Sequence, residues 1–157
     1  MVKRKLVKMA ERRDFMALAL EEAEKAGARG EVPIGAVITH EGSVIASAGN
    51  RTRELNDPTA HAEVLAIRAA CEKSGSERLN GAHLYVTLEP CAMCAAAISF
   101  ARIERLYYGA ADPKGGGVDH GGRFFDQDTC HHRPDVYSGF SETRAAALLR
   151  DFFNERR

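Results

Sequence analysis

The sequence predicts an α/β fold built on a mixed sheet, and three observations carry that prediction. Two β-rich runs, 34–40 and 43–48, flank Glu41-Gly42 and read as an antiparallel hairpin. Two later runs, 83–88 and 105–109, are joined by an apolar helical segment, a βαβ unit that implies parallel pairing. The 157 residues show no internal repeat, no low-complexity segment and no dividing linker, so both kinds of pairing belong to one domain.

The elements follow in order. A helix is expected from about Glu11 to Ala26, where Phe15, Leu18, Ala19 and Ala23 form an apolar stripe and Gly27 and Gly30 end it. Pro33 precedes the first strand, a position where a missing N–H is tolerated. Residues 49–59 form a polar loop that ends in Asp57-Pro58-Thr59, good chemistry for a helix start. The next helix, about Ala60 to Lys73, carries Ala62, Val64, Leu65, Ala66, Ile67, Ala69 and Ala70 on several faces and is expected to be mostly buried. After strand 83–88, Pro90 suits the first turn of a helix over about Cys91 to Ala101, again apolar all round. Strand 105–109 leads into residues 112–135, a long Gly-, His- and Asp-rich connection of the kind that is functional or mobile. A short strand at 136–138 and an amphipathic helix over Ser141 and Arg144–Asn154 close the chain, the helix carrying Leu148, Leu149, Phe152 and Phe153.

A content of 45% hydrophobic and 28% charged residues is that of a globular protein and argues against disorder. The 22 basic and 22 acidic residues cancel, which argues against a protein held to nucleic acid by bulk charge. The two ends are locally basic. Residues 1–13 hold Lys3, Arg4, Lys5, Lys8, Arg12 and Arg13 against Glu11 alone, and residues 144–157 hold Arg144, Arg150, Arg156 and Arg157 against Asp151 and Glu155. They read either as a polyanion-binding rim or, at residues 1–10, as a solvated basic tail ahead of a single domain over 11–157. No apolar run reaches membrane-spanning length and no secretory signal is visible, so the expected compartment is the cytoplasm. In that setting Cys91-x-x-Cys94 reads as metal-binding or redox-active, not as part of a disulfide framework.

The chemistry concentrates in His61-Ala62-Glu63 and Pro90-Cys91-Ala92-Met93-Cys94. Three side chains, His61, Cys91 and Cys94, can hold one zinc ion, and three protein ligands leave a position for water. Glu63 is a spare carboxylate beside that site, able to move protons to and from the water. Cys91 and Cys94 share a face if both are helical, and a helix start stabilises thiolates. His61 is likewise expected in a first helical turn, which leaves Glu63 roughly 200° around the helix from it if both are fully helical, an angle that can relax at a helix start. A structural zinc would need a fourth ligand. Cys71 lies roughly 15 Å up its helix, too far to share the metal. Cys130-His131-His132 reads either as a polar loop turn or as a second metal or substrate-contact site.

His61-x-Glu63 with Pro90-Cys91-x-x-Cys94 resembles the signature of the zinc-dependent cytidine and adenosine deaminases. The flanking words resemble the bacterial tRNA adenosine deaminases: Glu31-Val32-Pro33-Ile34-Gly35-Ala36, Asn50-Arg51, Pro58-Thr59-Ala60, Leu84 through Pro90, and Tyr108 through Gly116. The resemblance covers about residues 11–157. It implies a three-layer cytidine-deaminase-like fold, a five-stranded mixed sheet with helices on both faces. It implies one zinc per chain on His61, Cys91 and Cys94, with Glu63 passing a proton from zinc-activated water to ring N1 and helping to expel ammonia from C6. It further implies conversion of the wobble adenosine of an arginine tRNA to inosine, with Asn50 touching the flipped nucleoside and Asp112 and Lys114 in a substrate-side loop. The C-terminal helix would meet the tRNA anticodon loop, with Phe153 stacking on a base. A homodimer is implied, and the helix Ala95–Ala101 with Arg102-Ile103 offers it an apolar face. Residue by residue, simpler readings stand beside these: Asn50 as a turn residue, Asp112 to Lys114 as a solvated turn, Phe152-Phe153 as core. Residues 117–135 match no motif.

Two rival functions share the zinc residues: deamination of a free nucleobase or nucleoside such as guanine or cytosine, and a non-catalytic zinc-stabilised RNA-binding module. The basic C-terminal helix and Lys114 separate the first from a tRNA enzyme. Glu63 separates the second.

Overall fold

The computed structural model describes residues 14–156; the basic run before Asp14, the expected helix start at Glu11, and Arg157 lie outside the described residues. Helix α1 spans Phe15–Ala28, β1 Gly35–His40, β2 Ser43–Gly49, α2 Ala62–Ser74, β3 Ala82–Leu88, α3 Ala92–Phe100, β4 Arg105–Ala110, β5 Asp135–Tyr137 and α4 Glu142–Glu155, with a 3-10 turn at Phe124–Asp126. The five strands form one sheet in the order β2-β1-β3-β4-β5. Strand β1 pairs antiparallel with both β2 and β3, while β3, β4 and β5 run parallel, so the expected mixed five-stranded sheet is the one observed.

Local chemistry explains the elements. Asp14 caps α1 by accepting the Ala17 N–H at 3.0 Å. Glu41 and Gly42 both take positive φ, 50° and 80°, the geometry of the tight hairpin turn whose twist matches the flanking strands. Alternation along the strands sorts side chains into two cores. Ala36, Ile38, Leu84, Val86, Leu106 and Tyr108 pack with Ala62, Ala66 and Ala70 of α2 and Ala95 and Ile98 of α3. On the other face Val37, Tyr85 and Tyr107 pack with Phe15, Met16, Ala19 and Leu20 of α1 and Ala145 of α4. Helices therefore cover both faces. Gly35 lets α1 lie close on β1: a Cβ there would stand 2.0 Å from the Ala19 carbonyl oxygen.

Two expectations need correction. Helix α2 is buried on one stripe, at Ala62, Glu63, Ala66 and Ala70, while Ala69 is exposed. Helix α3 buries Cys94, Ala95, Ile98 and Ser99 but leaves Met93 and Phe100 on an outward apolar face. Alanine-rich helices look apolar all round in sequence, yet each has only one sheet-facing side to bury.

The sheet gathers the candidate residues at one edge. Parallel β3 and β4 finish in register at Leu88 and Ala110. Antiparallel β1 begins at that edge and β2 ends there, with Gly35 opposite Gly49. Glu31, Asn50, Glu89 and the loop after Ala110 therefore emerge together, at the carboxyl ends of the parallel strands where open α/β sheets place ligands.

Candidate active site

His61 and Cys91 are not inside their helices. Each occupies the N-cap position with extended backbone, ψ 152° at His61 and 174° at Cys91. This corrects the expectation of two first-turn ligands and removes the 200° difficulty, since His61 swings away from the helix before Glu63 enters it. Neither residue uses its side chain as a cap. Asn50 supplies that function for α2: its Oδ1 accepts the Ala62 N–H at 2.8 Å. Asn50 is thus more than a turn residue; it is buried and fixes the position of the helix that carries Glu63.

The two helix starts converge. His61 Nδ1 lies 3.5 Å from Cys94 Sγ and 3.7 Å from Cys91 Sγ. A tetrahedral zinc with bonds of about 2.3 Å to sulfur and about 2.0 Å to nitrogen separates such atoms by roughly 3.5 Å, so the donor set fits zinc. Among the described residues this is the one such cluster of metal-ligating side chains, and it contains three residues. Cys91 is held down to about 4 by its hydrogen bond with Cys94, against burial, with His61 adding to the effect. The same pairing and burial push Cys94 up. The pair offers a thiolate and a proton that a divalent cation can displace. The Cys91 contact raises the His61 ring, with burial opposing. Glu63 is 4% exposed, and burial raises its carboxyl above the ordinary range while a contact with Cys94 and the charge of His61 oppose. A carboxyl beside the donor set whose proton is favoured by burial can both take up and release a proton there.

Two further buried carboxylates, which sequence reading missed, brace the walls of the site. Glu31 accepts the backbone N–H groups of Arg53 and Glu54 at 3.0 and 3.1 Å and so shapes the loop after Asn50. Glu89 holds the opposite wall. It accepts N–H groups from Asp112, Val118, Asp119 and His120, and its Oε1 lies 2.7 Å from His120 Nδ1. Burial alone would raise Glu89, yet these donors leave it below the ordinary carboxylate range. Asp112 in turn accepts the Lys114 and Gly115 N–H groups, which leaves Lys114 exposed on an ordered turn. The flanking strand and proline mark Glu89 as a buried acid that must find partners, but not which partners those are.

The remaining candidates separate clearly. Phe152 is buried and Phe153 is 49% exposed, their rings edge-on at 5.4 Å. Arg156 stacks on the Phe152 ring at 3.5 Å. The Cys130 and His132 pair ties its loop to the end of α3. Ser99 Oγ donates to the His132 carbonyl at 2.7 Å, and the His132 ring meets the Ile103 carbonyl at 2.7 Å. These bonds staple the loop to the end of α3, so His132 is more than an incidental loop residue, and the residues are not part of the metal-type cluster found among the described residues.

Comparison with known proteins agrees with the geometry. Residues 9–110 match the cytidine and deoxycytidylate deaminase zinc-binding region. A tRNA-specific adenosine deaminase from Agrobacterium fabrum is 70% identical over 95% of this chain and 98% of its own length. One from Rickettsia bellii is 45% identical over 90% of this chain and 99% of its own. A solved structure from studies of A-to-I editing by tRNA:A34 deaminases at the wobble position superposes with a TM-score of 0.85, at 70% identity, over 86% of this chain and 98% of that one. The chain belongs to the zinc-binding cytidine and deoxycytidylate deaminase family, in its branch of tRNA-specific adenosine deaminases.

Proposed function

We propose that this chain hydrolyses the wobble adenosine of an arginine tRNA to inosine and ammonia, in the cytoplasm, as a homodimer. The observation that carries the chemistry is a three-residue donor set with a buried carboxylate, Glu63, at its side. His61 Nδ1, Cys91 Sγ and Cys94 Sγ would hold zinc, whose contribution is Lewis acidity toward water. Glu63 takes the proton released as water oxygen bonds to C6 and delivers it to ring N1. It then assists protonation of the amino group as the C6–N bond breaks. Asn50 fixes the start of α2 and so the place of Glu63, and the wall at Asp112 to Lys114 bounds the space for the base. Reaching that space requires an unstacked base, which is cheapest in a loop, and an anticodon loop provides one. Phe153 is available for stacking, and Lys114 and Arg150 for phosphate. The outward face of α3, with Phe100 64% and Met93 37% exposed, supports pairing of two copies.

The test is direct. Incubate the protein with tRNA transcripts and, separately, with free adenosine, guanine and cytosine, and read products by mass spectrometry. Inosine at the wobble position of the arginine tRNA is expected. Turnover of a free base with tRNA untouched would overturn the proposal in favour of a small-molecule deaminase.

A further inference from the structure

We infer that Glu89 is a positioning residue for the reaction, locking the substrate-side loop to the turn that delivers zinc ligand Cys91. The side chain of Glu89 is fully buried, and nearly all of its contacts reach forward into one loop. Oε1 accepts the Asp112 N–H at 3.1 Å and meets His120 Nδ1 at 2.7 Å. Oε2 accepts three consecutive N–H groups, from Val118, Asp119 and His120, at 3.3, 3.1 and 3.2 Å. One carboxylate thus gathers both ends of a nine-residue segment, and the chain two residues on is Cys91. The loop is moulded around it. A Cβ at Gly116 would stand 2.3 Å from Glu89 Oε2, and Gly117 donates its N–H to the Pro90 carbonyl at 2.8 Å. Tyr108 adds a second anchor by donating its hydroxyl to Asp119. The order then passes outward: Glu89 fixes the Asp112 backbone, and the Asp112 side chain fixes Lys114 and Gly115. A buried carboxylate accepting this many loop amides fixes the loop conformation.

A glutamine cannot replace it. Both oxygens of Glu89 face donors, so an amide NH2 in either place would meet N–H groups head on. The inference rests on the reading that the 111–120 wall faces substrate, and the test separates failure of that reading from failure of the coupling. Measure kcat, KM and zinc content for wild type and Glu89→Gln with an anticodon stem-loop, and follow backbone hydrogen exchange. The expected result for Glu89→Gln is zinc retained, KM raised about tenfold, kcat changed less than about threefold, and faster exchange confined to 111–121. Unchanged KM, or exchange unaltered in 111–121, would overturn the inference. Should Glu89→Gln fail to fold, His120→Ala decides: it removes one contact from a partly exposed ring, and KM should rise roughly threefold with zinc retained. No change there would overturn the inference equally. If wild type leaves the stem-loop untouched, the functional reading has failed, and the exchange measurement alone still tests the coupling.

Discussion

Glu63 shows what a single residue contributes and how much of it could be read in advance. Its identity and neighbours were legible, because a carboxylate two residues past a metal-type histidine has no ligand role to fill. Its direction was not, because spacing on an ideal helix turns it away from His61. The backbone of His61 resolves this: at ψ 152° the residue belongs to the preceding loop, and the 3.6-residue period does not apply across it. Glu63→Gln keeps the volume and hydrogen-bonding shape but cannot carry a proton. Deamination should fall by about 10²- to 10⁴-fold while the zinc-to-protein ratio stays at that of wild type. Loss of zinc together with activity would assign Glu63 to the ligand set instead. The role of the buried braces Glu31 and Glu89 was hidden for a different reason. Their partners are backbone N–H groups supplied by loops, and a backbone N–H has no sequence signature.

At the scale of elements the site is a meeting of two helix starts, and this was legible in outline. His61 before an alanine-rich run and Pro90-Cys91 before another mark both N-termini, and the βαβ reading placed Cys91 after a parallel strand. The long connection was opaque because its glycines report only on their surroundings. Gly117 is the decisive case. A Cβ there would stand 2.5 Å from the Ala92 backbone nitrogen, against the first turn of α3 between the two cysteines proposed to hold zinc. Gly122, in the same loop, has nothing within 4 Å. Gly117→Ala must push that turn away, so Cys91 and Cys94 lose their spacing to His61. Zinc affinity, measured by competition with a chromophoric chelator, should drop by about tenfold or more, in line with the 10–100-fold losses seen when groups supporting metal ligands are disturbed. Gly122→Ala should bind zinc as wild type does. Equal affinities in the two variants would show that the loop does not restrain α3.

For the molecule as a whole, charge decides how it holds a polyanion. The sequence is balanced at 22 basic and 22 acidic residues, and the structure pairs many of the cations internally. Arg51 binds Glu54 at 2.9 Å, Arg144 binds Glu24 at 2.7 Å, and Arg68 lies 3.8 Å from Asp57. Arg156 is turned onto Phe152. Lys114 and Arg150 are among the exposed cations that the proposal assigns to phosphate, Arg150 held only by a 3.9 Å pair with Asp151. On the proposed function, recognition rests on the shape of the anticodon loop, with about two or three phosphate contacts in place of the six to ten of a bulk-charge binder. Each contact to a single strand contributes a slope of about −0.7 to log affinity against log salt. In a chain beginning at Met9, which removes Lys3, Arg4, Lys5 and Lys8, KM for an anticodon stem-loop should rise only about tenfold between 50 and 200 mM salt. The full chain measured alongside counts, by its extra slope, the phosphates that the basic run neutralises. A rise of a thousandfold in the shortened chain would mean that bulk charge, not the proposed loop recognition, provides the affinity.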